Sequence, residues 1–258
     1  RSALRYGATT FVVDNHYELT KFVPYRSRVG ILLPLSFRAS GAAVDLSRKF
    51  GCAFDELPGL LDRAAALGIH VKGLSFHVGS QCAYAAKHVE AIEQCAALMQ
   101  ARAETDPTPM SVLDIGGGFP TDYHRTGLDL EAWCAPIRAA LGRVPDDWQC
   151  IAEPGRVLVA PAVTCVTTVV GTSRRDGVRW YYLDDGVYGA FPGQLFDHAL
   201  YPLQVLREGP AEPSIPTGPT CDPIDNAAEQ HALPGAEPRG PVDGQGLGDC
   251  HGRSRRHC

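Results

Sequence analysis

The chain has little that would carry it into a membrane. No apolar run approaches the roughly 20 residues of a spanning helix. The opening RSALRYGATT has neither a signal-peptide shape nor an initiator methionine. Positive charge is not in excess: 24 Lys and Arg face 29 Asp and Glu, for a net charge of −5. That balance argues against a nucleic-acid partner and is compatible with a cationic small molecule. The nine cysteines are odd in number and none falls in a C-x-x-C spacing. This speaks against a disulfide framework and a zinc site, so no metal centre is expected, and it favours reduced thiols and a cytoplasmic location. Lysine occurs only at positions 21, 49, 72 and 87. What is present suffices for a core, since 258 residues at 45% hydrophobic and 21% charged fit one large or two modest domains.

Up to about residue 153 the pattern alternates between strand and helix. TTFVV (9–13), GILLPLS (30–36), HVKGLSFHV (70–78), MSVLDI (110–115) and WQCIAE (148–153) read as strands. Between them lie helical stretches: HYELTKFV after Asp14 and Asn15, 55–68 capped by Asp55, 85–104 with a stripe at Val89, Ile92, Ala96 and Met99, and 129–141. Repeated β-then-α predicts parallel strands joined by right-handed crossovers. From residue 156 the character changes, and 156–172 and 179–191 read as β segments with no helical period. Residues 226–258 hold six glycines and three prolines and read as a disordered tail.

Three motifs sit at the C-terminal ends of three strands: FHVGSQ (76–81), DIGGGFP (114–120) and AEPGR (152–156). In a β/α barrel those ends face the active site. Gly116, Gly117 and Gly118 free three backbone N–H groups to approach an anion, although a plain turn uses glycine equally well. Ser80 and Arg156 suit the same phosphate. Glu153 can hold a proton on a pyridine-type nitrogen or simply pair with Arg156, and His77 can stack on a flat ring or be structural. Together they suggest a phosphorylated pyridine cofactor.

In order and spacing, FHVGSQ, DIGGGFP, AEPGR, DDGVYGAF (184–191), FDHAL (196–200) and GPTCDPID (218–225) resemble the fold-type III pyridoxal-phosphate decarboxylases of basic amino acids. That group acts on ornithine, lysine, diaminopimelate or arginine, and the pattern here is most like the ornithine enzymes. The resemblance implies a partial (β/α)8 barrel, alanine racemase-like, over residues 1–161, with its first strands missing. Part of a β-domain would follow over 162–225. It also implies that His77 stacks on pyridoxal 5'-phosphate, that Glu153 pairs with the ring nitrogen, and that Ser80, Gly116, Gly117, Gly118 and Arg156 surround the phosphate. Asp197 would bind the distal ammonium of the substrate, and Tyr188 would lie near a subunit interface. The family assembles as a head-to-tail homodimer with shared active sites. There Cys221 would protonate the carbanion left by CO2 loss, and Asp222 would share the distal ammonium with Asp197. A thiol suits proton donation because it ordinarily titrates near neutrality. The CD pair favours a diamine-forming substrate, most simply L-ornithine going to putrescine, a step of polyamine biosynthesis, with lysine and diaminopimelate as alternatives.

Three departures accompany the resemblance, one of them the stretch 226–258, which lacks the strand and tyrosine-bearing glycine loop with which family members end and so reads as disordered or out of frame after about Asp225. The family joins its cofactor covalently to a lysine on the first barrel strand, and none of the four lysines stands in that context, so the chain reads as truncated before Arg1 and inactive as it stands. Pro34 occupies a strand position where a backbone N–H is needed. A non-catalytic homologue that binds other subunits or regulators, as antizyme-inhibitor-like relatives do, is the rival reading.

Overall fold

The computed structural model describes residues 2–37, 42, 49–106, 108–123, 126–197, 199–206, 208–228, 231–235 and 249–252. Two compact units divide the chain: residues 1–120 with 128–156, and residues 121–127 with 157–258.

The first unit contains α1 (Ser2–Arg5), β1 (Thr10–Val12), α2 (His16–Phe22), β2 (Gly30–Leu35), α3 (Leu57–Ala66), β3 (His70–Phe76), α4 (Ala86–Ala103), β4 (Val112–Asp114), α5 (Leu130–Leu141) and β5 (Gln149–Ile151). Its sheet runs in the order β1-β2-β3-β4-β5, and every pair is parallel. This is the sheet of a partial β/α barrel. Parallel strands buried on both faces need continuous apolar runs. Accordingly β2 is buried at Gly30, Ile31, Leu32, Leu33 and Leu35. The same core takes Leu60 and Ala64 from α3, Ile92 and Met99 from α4, and Ile137 and Ala140 from α5. Each large aliphatic side chain hidden this way contributes roughly 1.5–3 kcal/mol.

Three local expectations are corrected. The α4 stripe is turned by one position, burying His88, Ala91, Ile92, Cys95 and Met99 while Ala96 stays half-buried. His88 enters the core because a backbone carbonyl waits there for its ring N–H. Asp55 does not cap α3. Glu56 stands at that cap, and its carboxylate folds back to accept the Ala53 N–H at 2.9 Å. Pro34 is accommodated within β2. Its carbonyl accepts from Cys52 N at 2.9 Å, and a residue's N–H and C=O point to the same side of a strand. The missing donor therefore faces away from β3, on the side where β1 has already ended at Val12.

The second unit contains most of α6 (Arg156–Val159), then β6 (Val166–Arg175), β7 (Val178–Leu183), α7 (Pro192–Phe196), β8 (Leu203–Val205), β9 (Ala211–Thr217), β10 (His231–Pro234) and β11 (Asp249–Gly252). The stretch from 156 is thus not one long strand. It opens with α6 and a 3-10 turn over Ala160–Ala162, and pairing starts only at Val166. Pro161 has no N–H to donate to a ladder, so β-branched composition does not decide this segment. The six-stranded sheet has the order β10-β9-β7-β6-β11-β8, antiparallel except for β7 with β9. The β6–β7 hairpin closes on Asp176 (φ 49°) and Gly177 (φ 80°). An Asp-Gly pair with both φ positive matches the right-handed twist of the flanking strands. Tyr181, Leu183, Val169 and Leu233 form this unit's core. Part of the 226–258 stretch therefore carries strand: β10 pairs with β9 and buries Leu233. The remaining expectation of an unstructured tail falls mainly on residues outside those described.

Candidate active site

In a parallel sheet the strand C-termini share one edge, and the expected motifs follow β3, β4 and β5 there. They meet at Gly117. A Cβ built on this glycine would stand 2.8 Å from the Glu153 carbonyl and 3.1 Å from His77 Nε2. Only glycine lets these three strand exits approach so closely. Two further bonds lock the edge: Glu153 N–H donates to the Gly116 carbonyl at 2.8 Å, and Cys82 N–H to the Gly118 carbonyl at 2.9 Å. The Gly117 carbonyl takes a third bond, from His88 Nε2 at 3.0 Å.

All three glycine carbonyls are thereby occupied, while the Gly117 and Gly118 N–H groups have no partner among the described residues. The third N–H is not available, because Gly116 N donates to Asp114 Oδ1 at 2.9 Å. The cradle thus offers two amides to an anion rather than the three expected from the glycine count. Asp114, 5% exposed, is a working part of the loop that motif reading passed over. Burial pushes its carboxyl above the ordinary range, and Glu153 adds to this, against the opposing pull of the Gly116 N–H and His77.

His77 is half-buried and accepts the Gly79 N–H on Nδ1 at 2.9 Å, which places the proton of its neutral ring on Nε2. Burial lowers its pKa, partly offset by Asp114. Ser80 is half-buried, in the loop whose Gly79 carbonyl closes on Gly118. Glu153 is exposed, and Arg156 opens α6 three residues later.

The second unit brings together a separate group. Tyr188 hydroxyl donates to Asp222 Oδ2 at 2.5 Å. This bond raises the Tyr188 pKa and lowers that of Asp222, which also accepts the Ile224 N–H. Cys221 is exposed on the same loop. Beneath it lies Asp225, fully buried, which no motif reading singled out. One oxygen accepts Val187 N–H at 2.8 Å, and the other accepts Thr220 N–H at 3.1 Å and Thr220 hydroxyl at 2.7 Å. Its carbonyl accepts from Gly218 N and Thr217 hydroxyl. One carboxylate therefore ties the DDGVYG and CDPID segments together. Asp197 is half-buried and ends α7, with its N–H on the Gly193 carbonyl at 2.9 Å, and it is not bonded to the Tyr188–Asp222 pair.

Residues 1–160 match the family described as pyridoxal-dependent decarboxylase, pyridoxal binding domain. A lysine/ornithine decarboxylase of Selenomonas ruminantium is 37% identical over 226 residues, covering 87% of this chain and 57% of the relative. Antizyme inhibitor 2 of Xenopus laevis is 32% identical over 253 residues, covering 90% and 55%. The crystal structure of lysine/ornithine decarboxylase complexed with cadaverine from Vibrio vulnificus superposes with a TM-score of 0.86 at 43% identity, covering 98% of this chain and 65% of that one. The chain thus spans less than two-thirds of the length of these relatives. Over that span, the chain belongs to the pyridoxal-dependent decarboxylases, and its first 160 residues are their pyridoxal-binding domain.

Proposed function

We propose that this chain forms the phosphate-side half of a cofactor site in a decarboxylase of basic amino acids, with L-ornithine to putrescine as the reaction. The Gly117–Gly118 cradle carries this reading. Its two unpartnered N–H groups, backed by three occupied carbonyls, fit a phosphate, and a Cβ at Gly117 would fill the space between His77 and Glu153. Bound pyridoxal phosphate supplies an electron-withdrawing ring that stabilises the carbanion left when CO2 departs.

The chain's own residues would do the rest. Gly117 and Gly118 N–H, the Ser80 hydroxyl and Arg156 bind the phosphate. Glu153 holds a proton on the ring nitrogen. His77 is kept neutral by burial, so it can stack on that protonated ring without charge repulsion. On the second unit, Asp197 and Asp222 bind the distal ammonium of the substrate, and Cys221 delivers a proton to carbon. Tyr188 orients Asp222 through its hydroxyl. Cys221 and Asp222 serve the partner's site in a head-to-tail homodimer, in the cytoplasm and in polyamine biosynthesis.

A second reading rests on the four lysines, each placed elsewhere. Lys21 bonds Glu18 on α2, Lys49 lies over the Phe50 ring, Lys72 donates to Thr10 hydroxyl at 2.7 Å, and Lys87 pairs with Glu90 on α4. None stands at a strand C-terminus, so the 258-residue chain by itself binds cofactor without covalent attachment and does not turn over. A non-catalytic binding protein fits these facts equally, and the match to antizyme inhibitor 2 favours keeping it.

The test is equilibrium dialysis of the purified chain against pyridoxal phosphate, with an ornithine assay in parallel. We expect saturable, reversible binding that inorganic phosphate competes away and Gly117→Ala weakens. We also expect no turnover above a Cys221→Ala control. Binding indifferent to both phosphate and Gly117→Ala would sink the cofactor assignment. Turnover above that control would remove the second reading.

A further inference from the structure

His88 is wholly buried in α4, yet it is the one polar member of that helix's inward face. Phe76, Phe119 and Trp133 surround its ring, with centroids at 6.2, 5.1 and 5.4 Å. Nε2 lies 3.0 Å from the Gly117 carbonyl, 29 residues away. A carbonyl only accepts, so the ring proton sits on Nε2. Nδ1 is then a buried lone pair, and it has no partner among the described residues.

An orphaned nitrogen in an aromatic cage costs free energy. A phenylalanine would fill the same cage without that cost. What histidine adds here is the single bond to Gly117. The Gly117 carbonyl and the Gly118 N–H belong to one planar peptide unit. A donor on the carbonyl fixes the plane of that unit and polarises it, making the N–H on its other side a stronger donor. Backbone amides hold the Gly116 and Gly118 carbonyls. His88 is the only side chain bonded to a glycine carbonyl of the cradle among the described residues.

We propose that His88 is a positioning residue for the anion cradle: through the Gly117 carbonyl it holds the Gly117–Gly118 peptide with its N–H presented to the cofactor phosphate. The inference rests on the cofactor reading above and concerns the phosphate alone, since His88 acts through the Gly117 carbonyl of the cradle.

The experiment compares pyridoxal phosphate with pyridoxal, which lacks the phosphate, on the 258-residue chain by equilibrium dialysis. It is paired with the amide shift of Gly118 in 15N-labelled protein. For His88→Phe, pyridoxal phosphate binding falls about five- to tenfold, the equivalent of one charge-assisted hydrogen bond weakened. Pyridoxal binding does not change, and the Gly118 amide proton moves upfield without ligand. His88→Gln carries an N–H where Nε2 stood and restores both readouts. His88→Asn cannot reach Gly117 and does not. This pair of polar variants decides the matter even where His88→Phe fails to fold. Equal losses for the two ligands, or equal behaviour of the glutamine and asparagine variants, would overturn the proposal. A parental chain that binds neither ligand defeats the cofactor reading itself, and this inference with it.

Discussion

The Asp225 carboxylate accepts the Val187 N–H at 2.8 Å across 38 residues of chain, and its other oxygen accepts from Thr220. Tyr188 follows Val187, and Cys221 and Asp222 follow Thr220, so one buried acid sets the spacing of three candidate residues, Tyr188 and Cys221 exposed and Asp222 half-buried. In Asp225→Asn the side-chain amide must turn an NH2 toward one set of donors. We expect a loss of about 1–3 kcal/mol in the second unit, the usual consequence of orphaning a buried donor. Faster amide exchange over 217–226 and 186–190 should accompany it. Hydrogen-exchange mass spectrometry is the check, and unchanged exchange in both segments would contradict the assignment.

Burial holds the His88 pKa down at about 4, against an ordinary value of 6.5, with a smaller push in the same direction from His77 and an opposing one from the Gly117 bond. A depressed folded-state pKa means that the unfolded chain binds the extra proton first. The stabilisation is complete above pH 6.5 and is lost as pH falls toward 4. Between pH 7 and pH 5 this histidine should account for about 2 kcal/mol of lost stability. Urea unfolding of parent and His88→Phe at the two pH values measures it. The variant should show the shallower decline, and identical declines would mean that His88 charges freely in the fold.

Tyr188 and Asp222 shift each other in opposite directions through one hydrogen bond. Removing the hydroxyl in Tyr188→Phe should let the Asp222 carboxyl titrate at higher pH. The remaining Ile224 N–H contact at 3.1 Å will limit the rise. Carbon-detected NMR titration of labelled aspartate reports the change directly. A titration curve unmoved by the substitution would show that the pair is not bonded in solution.

Joined to the lysine-bearing segment and C-terminal remainder of a family member, the chain should become an enzyme selective for a distal ammonium. Charge-assisted hydrogen bonds donated by a distal ammonium to Asp197 and Asp222 would be worth roughly 1.5–3 kcal/mol each, so ornithine should exceed norleucine in kcat/KM by several powers of ten. Lysine should differ from ornithine far less, because one methylene is worth roughly 1–3 kcal/mol. Asp197→Asn and Asp222→Asn should each erode the preference for ornithine over norleucine. Retention of the parental ratio in both variants would remove these aspartates from substrate recognition.

Local pattern determined much of this protein. Alternating β and α stretches imply parallel strands, parallel strands put their C-termini on one edge, and FHVGSQ, DIGGGFP and AEPGR therefore had to lie together. That inference needs only the order of elements, which periodicity and capping residues carry. Packing decided what order does not carry. His88 and Asp225 looked like an ordinary helix residue and an ordinary turn residue. Their roles come from carbonyl and amide partners 29 and 38 residues away, which no local period encodes. The Gly116 N–H was lost to Asp114 for a similar reason: a glycine run permits an exposed amide, and only the surrounding acceptors determine which amide stays exposed. Residues 156–165 have strand composition but begin as helix and 3-10 turn, because a β-branched segment takes the conformation for which the fold supplies hydrogen-bond partners.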